Sequence, residues 1–385
     1  MRYLFPLNPW NQQRQFEKPV WVYPAHLAMY ATHLRNEGHE VYWNVPEWFF
    51  AENDPIDGVE KKIIKDDFQI DVPFNELPFP DRTFTDAKNK RWQVYGNYKF
   101  HPATHMMASN LCWWGKCTFC VDTLKLDQGE PQQTRSVAHV IEEIDDLIAG
   151  GYKEVFDDSG TFPIGRWLDE FCQKMNERPE KGVHDSLVWP YGNMTFLPRG
   201  YLGKRKDYIK IGCNLKPLAL DYRMMKEAGF RFILVGVESA NQKTLDIIKK
   251  GQHQVNVRRN LKSMADAGLE AHLTSMFGYS WESHEEEMNT VKFIQEMLKK
   301  GYAKTAQASV YSPPRTKPDP NSKGHKYVPM IYDAYRSPAF WYHKIKDVRC
   351  IEDVTYMIRG ARLVAEEKMR KGLFLLTNKN KPSGK

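Results

Sequence analysis

The sequence has 385 residues, with 55 Lys and Arg against 48 Asp and Glu, so its formal net charge is +7. Hydrophobic residues make up 42% and charged residues 27%, which is ordinary for a globular protein and excludes a disordered, collagen-like or coiled-coil chain. No run of about 18 apolar residues is present, so no membrane span is expected. The apolar start is too short for a secretory signal, and we therefore expect a cytoplasmic protein.

The first predicted elements form one β-α-β unit. Residues 2–7 favour a strand, residues 24–37 have the apolar periodicity of a helix, and residues 40–43 favour a second strand. We therefore predict that residues 1–45 are a truncated Rossmann-like segment. Residues 46–103 are rich in Pro and charge, which indicates a mostly irregular linker.

From about residue 104 the predicted strands and helices alternate. In chain order they are helix 137–148, strand 154–156, helix 164–177, helix 220–228, strand 232–235, helix 255–267, strand 270–277, helix 285–299 and strand 307–311. Segment 183–213 fits this alternation least clearly. About six strand–helix units fit, and polar residues follow several strands, as at the active rim of a parallel α/β barrel.

The predicted fold class is therefore α/β, a partial (β/α)6 TIM-like barrel over residues 104–316. Such a barrel has fewer strands than the eight of a closed one, so one side of it is open. We expect the C-terminal extension, residues 317–385, to close that side or to cover the substrate.

Three of the six cysteines stand within nine residues, in the stretch Cys112-Trp-Trp-Gly-Lys-Cys117-Thr-Phe-Cys120. Three thiolates this close can each bind one iron of a four-iron cube, which leaves the fourth iron open to a substrate. A structural zinc site usually needs four ligands, often in two separated pairs, and the sequence has no second Cys-x2-Cys pair. The spacing therefore favours a 4Fe-4S cluster over zinc.

The cysteine stretch is one of several motifs that follow one another along the chain. They are residues 77–81, 109–120, 156–162, 236–239, 249–251, 277–282 and 312–316. Together they resemble the radical S-adenosylmethionine (SAM) superfamily, most closely the branch that often carries an N-terminal cobalamin-binding domain. The resemblance covers about residues 70–316 and is faint in residues 1–45.

The resemblance implies an enzyme that uses a 4Fe-4S cluster to cleave SAM reductively to a 5′-deoxyadenosyl radical. That radical abstracts hydrogen from a substrate that the sequence does not identify. A reductant such as flavodoxin or ferredoxin is implied by the family, whereas a nucleic-acid partner is not indicated by the charge pattern.

The resemblance also implies which residues bind the cofactors. The implied cluster ligands are Cys112, Cys117 and Cys120, and the implied SAM contacts are Phe119, Asp158, Ser159, Gly160, Thr161, Glu238, Lys250, Thr274 and Gly278. Most of these have a plain structural alternative. Phe119 could pack within its loop, Asp158 could end a strand, and Glu238 could form an internal ion pair.

The sequence departs from the family pattern in three places, one of which is the turn Pro314-Arg315-Thr316, where Pro-Gly-Thr is common in the family. The cysteines are separated by four and then two residues, where the family has three and then two, and we expect Gly115 to absorb the extra residue while the tryptophans move. The cobalamin signature Asp-x-His-x-x-Gly is absent, and about 75 residues precede the stretch at residues 77–81, where a full domain needs ~100–150. We therefore do not expect cobalamin.

Two alternatives stay open at this point. One is a cobalamin-dependent radical SAM methyltransferase, in which the vitamin is bound in an unusual way. The other is a non-catalytic iron–sulfur or zinc module that binds RNA or a partner protein. Corrinoid content would distinguish the first, and lack of SAM binding would distinguish the second.

Overall fold

The structure is a computed structural model that describes residues 1–6, 23–44, 62–63, 71–89, 92–94, 97–178 and 209–362. It contains two parallel β-sheets, one of three strands near the N-terminus and one of six strands. Within the described residues, no helix combines the length and the apolar character that a membrane crossing requires.

The N-terminal sheet confirms the predicted β-α-β unit and extends it. Strand β1 (Arg2–Pro6), helix α1 (Ala25–Asn36) and strand β2 (Glu40–Asn44) follow the predicted order. A short strand β3 (Lys62–Ile63) pairs with the other edge of β1, although its sequence was predicted as linker. Two strand residues are too few to leave a periodic signal, which explains why the sequence did not predict β3.

The larger sheet has the predicted architecture. Its strands are β4 (Ala103–Met106), β5 (Glu154–Asp157), β6 (Lys210–Asn214), β7 (Phe230–Glu238), β8 (Glu270–Phe277) and β9 (Thr305–Val310). They lie in chain order and pair in parallel throughout, so β4 and β9 are the edges. The fold is therefore α/β, with the six parallel strands of a partial barrel.

Helices connect these strands. They are α2 (Val121–Asp127), α3 (Val137–Ala149), α4 (Arg166–Asn176), α5 (Tyr222–Glu227), α6 (Gln242–Ile247), α7 (Gln254–Asp266) and α8 (His284–Lys299). Local sequence fixes where several of them begin. The Ser136 side chain caps α3, and Ser283 forms a capping box with Glu286 at the start of α8.

The two faces of the six-stranded sheet belong to different hydrophobic clusters. Val155, Ile233 and Leu273 belong to one large core that also contains the apolar faces of the surrounding helices. The opposite face carries a smaller cluster that includes Phe156 and Phe232. Side chains alternate between the two faces along each strand. Because the helices pack on the first face, the second face is the inside of the partial barrel.

The C-terminal segment covers the edge strand β9. It contains 3-10 helices at Lys323–Lys326 and Val328–Arg336, helix α9 (Pro338–Lys346) and a further helical stretch over residues 351–362. The Tyr335 hydroxyl accepts a hydrogen bond of 2.8 Å from the Ala306 backbone N–H on β9. This contact satisfies a donor that an open sheet edge would leave exposed.

Candidate functional site

The three clustered cysteines lie on the loop between β4 and α2. All three are free thiols; Cys117 is buried, and Cys112 and Cys120 are half-buried. The Cys112 backbone N–H donates to the Asp122 carboxylate over 2.9 Å, and the Cys120 N–H donates to the Cys117 carbonyl over 3.1 Å. These bonds fold the loop back on itself at the carboxyl edge of the sheet.

The cysteine loop is docked on the turn that follows α6. The Thr118 N–H donates to the Ile248 carbonyl over 3.1 Å, and the Trp114 indole N–H donates to the Lys249 carbonyl over 2.9 Å. Gly251, at a φ of 62°, lies directly against the Trp114 ring, where an added Cβ would overlap the indole. Trp114 is therefore held against this turn, and the idea that the extra loop residue moved it there stays a prediction.

Two of the thiols, those of Cys117 and Cys120, lie in an environment that disfavours the thiolate form. Burial raises the pKa of Cys117, although the ammonium groups of Lys250 and Lys216 oppose that rise. Burial and the Asp122 carboxylate raise the pKa of Cys120 to about 11. Bound iron supplies the positive charge that coordinating thiols need, so this donor set fits a 4Fe-4S cluster.

The cysteines do not form the site of a single ion. Among the described residues, no three or more Cys, His, Asp or Glu side chains converge on a point that could hold one metal ion. In a four-iron cube each thiolate binds a different iron, so its ligands do not need to meet at one point.

The end of β5 carries two adjacent carboxylates with different surroundings. The buried Asp157 accepts from the Ala108 backbone N–H over 2.7 Å, and Ser159 Oγ accepts from the Ser109 N–H over 2.8 Å. Both side chains therefore hold the backbone that leads into the cysteine loop. The Asp158 side chain reaches solvent at the rim, but protein fills most of the volume around it. This partial loss of water and the Asp157 carboxylate raise the pKa of Asp158 to about 7.

Gly160 and Thr161 follow on the same loop. A Cβ on Gly160 would overlap the Asp122 carboxylate and would lie 2.9 Å from the Cys112 Cβ, so only glycine fits there. Thr161 is buried, with 6% of its surface exposed. The absence of a side chain at Gly160 therefore lets this loop pack closely against the cysteine loop.

Glu238 and Lys250 form a buried ion pair, which is the structural alternative considered for Glu238. The Lys250 Nζ donates to Glu238 Oε1 over 2.7 Å. Glu238 has a φ of 61° at the end of β7, a left-handed conformation that is uncommon for a residue with a side chain. Gly236 lies beneath the pair, where any Cβ would overlap both charged groups.

The other predicted SAM contacts are divided between the loop and the strand ends. Phe119 packs beside Leu245 and Ile248, and its ring lies 5.6 Å from Lys250 Nζ. Thr274 is half-buried on β8, in register with Gly236 and Gln307 of the neighbouring strands. The structure thus brings Phe119 to the Glu238 and Lys250 pair.

Gly278 is engaged elsewhere. It has a φ of 94°, its N–H donates to Glu287 Oε1 over 2.9 Å, and Ser322 and Gly324 cover it. Its backbone therefore joins the end of β8 to the C-terminal segment. A role for Gly278 in SAM binding stays a prediction, as do the other assigned contacts.

Sequence reasoning missed Lys216, which follows β6. Only 6% of its surface is exposed, and its Nζ lies 3.5 Å from the Trp114 ring centroid and 5.6 Å from that of Trp113. Burial lowers the pKa of Lys216 to about 8. The signal that could have revealed it is a lone charge in the otherwise uncharged run 211–220.

Comparison with known proteins gives one family and several similar folds. Residues 106–294 match the model of the radical SAM superfamily. No curated protein matches the chain.

The chain is also similar to several solved structures. The methyltransferase TsrM from Kitasatospora setae, with cobalamin and a [4Fe-4S] cluster bound, is 15% identical over 54% of this chain and 36% of its own, at a TM-score of 0.40. The cobalamin-dependent enzyme OxsB is 15% identical over 68% of this chain and 33% of its own, at a TM-score of 0.42. Methylornithine synthase (PylB) is 11% identical over 62% of each chain, at a TM-score of 0.41.

This chain spans about a third of the length of the first two of these proteins. The matched region includes the loop of Cys112, Cys117 and Cys120. Residues 106–294 are therefore a radical SAM domain.

Proposed function

We propose that this protein is a radical SAM enzyme that acts on a carbon–hydrogen bond of an unidentified substrate. The observation that carries the proposal is the docked loop of Cys112, Cys117 and Cys120 at the carboxyl edge of the sheet, within the matched family region. When bound, a 4Fe-4S cluster and SAM supply the chemistry, since one electron cleaves the sulfonium to methionine and a 5′-deoxyadenosyl radical.

The chain's own residues hold and orient the cofactors in this proposal. The three thiols bind iron, and the exposed Asp158 carboxylate is available to the methionine ammonium group of SAM. We propose that the Lys250 ammonium, which Glu238 holds, pairs with the SAM carboxylate and that the Phe119 ring packs against the adenine; the closeness of Phe119 to Lys250 supports this pairing of roles. Ser159 and Gly160 act indirectly, because they shape the cysteine loop.

We further propose that the enzyme works without cobalamin. The sequence lacks the Asp-x-His-x-x-Gly signature, and the described N-terminal sheet has only three strands, one of them two residues long. The absorbance spectrum of protein purified from cells supplied with cobalamin tests this directly. A stoichiometric corrinoid band would favour the cobalamin-dependent methyltransferase instead.

A small reducing protein of the flavodoxin or ferredoxin type is the proposed electron donor, and the cytoplasm is the proposed location. A compartment that keeps thiols reduced suits a chain whose described cysteines are all free.

The test is anaerobic reconstitution with iron and sulfide, followed by addition of dithionite and SAM and assay of 5′-deoxyadenosine. We expect about four irons per chain and formation of product, with both lost in Cys117→Ala. Cys350→Ser is the matched control, because Cys350 lies outside the loop and contacts Asp353.

Two outcomes would contradict the proposal. A fully loaded cluster without SAM binding would favour a non-catalytic iron–sulfur module. Tight zinc binding with no iron incorporated would favour the zinc module.

A further inference from the structure

Trp114 is one of the four residues between Cys112 and Cys117 in the cysteine loop. Its ring packs against the body of the domain. The Trp114 indole N–H donates to the Lys249 carbonyl over 2.9 Å, and Gly251 lies against the ring. The position of Trp114 is therefore fixed both by a hydrogen bond and by close packing.

The Trp114 ring in turn fixes a buried cation. Lys216 Nζ lies 3.5 Å from its centroid, well inside the range of a cation–π contact, and also 5.6 Å from the Trp113 ring. The described residues give Lys216 no carboxylate partner, and the Trp114 ring that it contacts belongs to the loop that carries Cys112 and Cys117. A charge that is 6% exposed and lacks a counter-ion is costly unless a negative group is placed beside it.

A cluster on these cysteines supplies that negative group. Three thiolates leave the iron–sulfur assembly negatively charged, and the one electron that reduces it adds further negative charge. Net charge and solvent exposure around a cluster set its reduction potential. A fixed buried ammonium beside the thiolates therefore favours the reduced form over the oxidised form.

We propose that Lys216, seated on Trp114, is a positioning residue that raises the reduction potential of the 4Fe-4S cluster. Trp114 and the buried lysine act as one unit, since the indole of the cysteine loop holds the ammonium. This inference rests on the proposed function only in requiring that the cysteines bind a cluster. It does not require that SAM be cleaved.

The experiment is a redox titration of the reconstituted full-length protein with dithionite and mediators, in which the reduced cluster is followed by electron paramagnetic resonance. In Lys216→Gln we expect full iron content but a reduced-to-oxidised ratio about tenfold lower at a given potential, which is ~59 mV for a one-electron couple. Lys216→Arg should restore the ratio. Trp114→Leu should lower the ratio, because the indole no longer holds the Lys216 ammonium in place.

Lys116→Gln is the matched control. Its Nζ lies 5.1 Å from the same Trp114 ring, but Lys116 is exposed, so solvent screens its charge and we expect no shift. An equal shift in Lys116→Gln and Lys216→Gln would overturn the inference, because it would show a general charge effect.

The remaining outcomes separate this inference from the proposed function. An unchanged potential in Lys216→Gln with a full cluster would overturn the inference alone, and weaker SAM binding in that variant would then identify Lys216 as a SAM ligand. A shifted potential in a protein that does not bind SAM would overturn the proposed function and leave the inference standing. Failure of the wild-type protein to bind iron would overturn both.

Discussion

Two neighbouring carboxylates at the end of β5 have different roles because their surroundings differ. Asp157 accepts backbone N–H groups, including that of Ala108 over 2.7 Å, and so holds the chain that precedes the cysteine loop. Asp158 has its own backbone N–H bonded to the Met106 carbonyl over 2.8 Å, and its side chain is exposed at the rim. Only Asp158 is therefore available to a ligand.

The pKa of Asp158 leads to a pH-dependent prediction. Burial and the nearby Asp157 carboxylate raise that pKa to about 7, so the charged form that pairs with an ammonium becomes dominant only above neutral pH. We expect the dissociation constant of SAM to fall about tenfold between about pH 6 and about pH 8. Anaerobic calorimetry without reductant measures it.

Asp158→Asn should bind SAM more weakly and with little dependence on pH over that range. Asp169→Asn on the exposed surface of α4 is the control and should retain the full dependence. A flat profile in the unaltered protein would show that Asp158 does not contact SAM.

The Glu238 and Lys250 pair gives a stability prediction. Their side chains are 8% and 14% exposed, so removal of one partner leaves the other charge buried and unpaired. Glu238→Gln or Lys250→Met should each lower the free energy of unfolding by about 3–5 kcal/mol. The double variant Glu238→Gln/Lys250→Met should lose clearly less than the sum, because both charges are then gone.

Urea unfolding of the cluster-free protein measures these changes. The exposed pair of Lys262 and Asp266, with side chains 54% and 58% accessible, is the control, and Lys262→Met should leave the free energy of unfolding nearly unchanged, because solvent screens both charges. Additive losses at Glu238 and Lys250 would mean that the two side chains do not interact.

At the scale of elements, the cysteine loop depends on close packing against the loop after β5. A Cβ on Gly160 would overlap the Asp122 carboxylate and would lie 3.0 Å from the Cys112 backbone nitrogen. Gly160→Ala should therefore displace the loop and lower the iron content after reconstitution by more than half. Iron analysis and the absorbance spectrum of the cluster measure the effect.

Gly360→Ala is the matched control, since nothing lies within 4 Å of the Cβ that it would add. It should bind as much iron as the unaltered protein. Normal iron content in Gly160→Ala would mean that the loop tolerates the displacement.

The elements that sequence could predict are those with a long periodic signal. Strand β8, Glu270–Phe277, agrees with its prediction at both ends, because a buried strand bounded by Gly268 gives a clear pattern. The short β6, Lys210–Asn214, lies at the end of segment 183–213, which fitted the predicted alternation least clearly.

The candidate site shows the same division. The three cysteines could be proposed as cluster ligands from the sequence, because they stand within nine residues of one another. The bond from Trp114 to Lys249 joins residues 135 positions apart, and Lys216 is brought to the same ring by the order of the strands. No local pattern encodes such contacts, because they arise only when the sheet is assembled.

At the scale of the whole molecule, a buried ion network joins the floor of the barrel to the C-terminal segment. Arg231 pairs with Glu154 and, over 2.8 Å, with Glu270. Lys99 also pairs with Glu270 and, over 2.5 Å, with Asp353 of the C-terminal segment. The charges alternate, so each is satisfied only while strands β5, β7 and β8 and the C-terminal segment stay together.

This network predicts how the protein responds to acid. Burial alone would raise the pKa of Glu270, but Arg231 and Lys99 lower it to about 2, below its ordinary 4.5. The stability that Glu270 contributes is thus fully present above about pH 4.5 and is lost as the pH falls towards 2. We expect the free energy of unfolding to fall over this range, measured by urea unfolding at successive pH values.

Arg231→Met should lower the free energy of unfolding at neutral pH by about 3–5 kcal/mol, because Glu154 then remains buried without its partner. The same variant should show a weaker loss of stability in acid, since Glu270 has lost one of the two cations that lower its pKa. Arg258→Met removes an arginine from a pair with Glu296 in which the side chains are 45% and 34% exposed, and it should change neither quantity appreciably. An unchanged acid profile in Arg231→Met would show that the network does not set the acid stability of the fold.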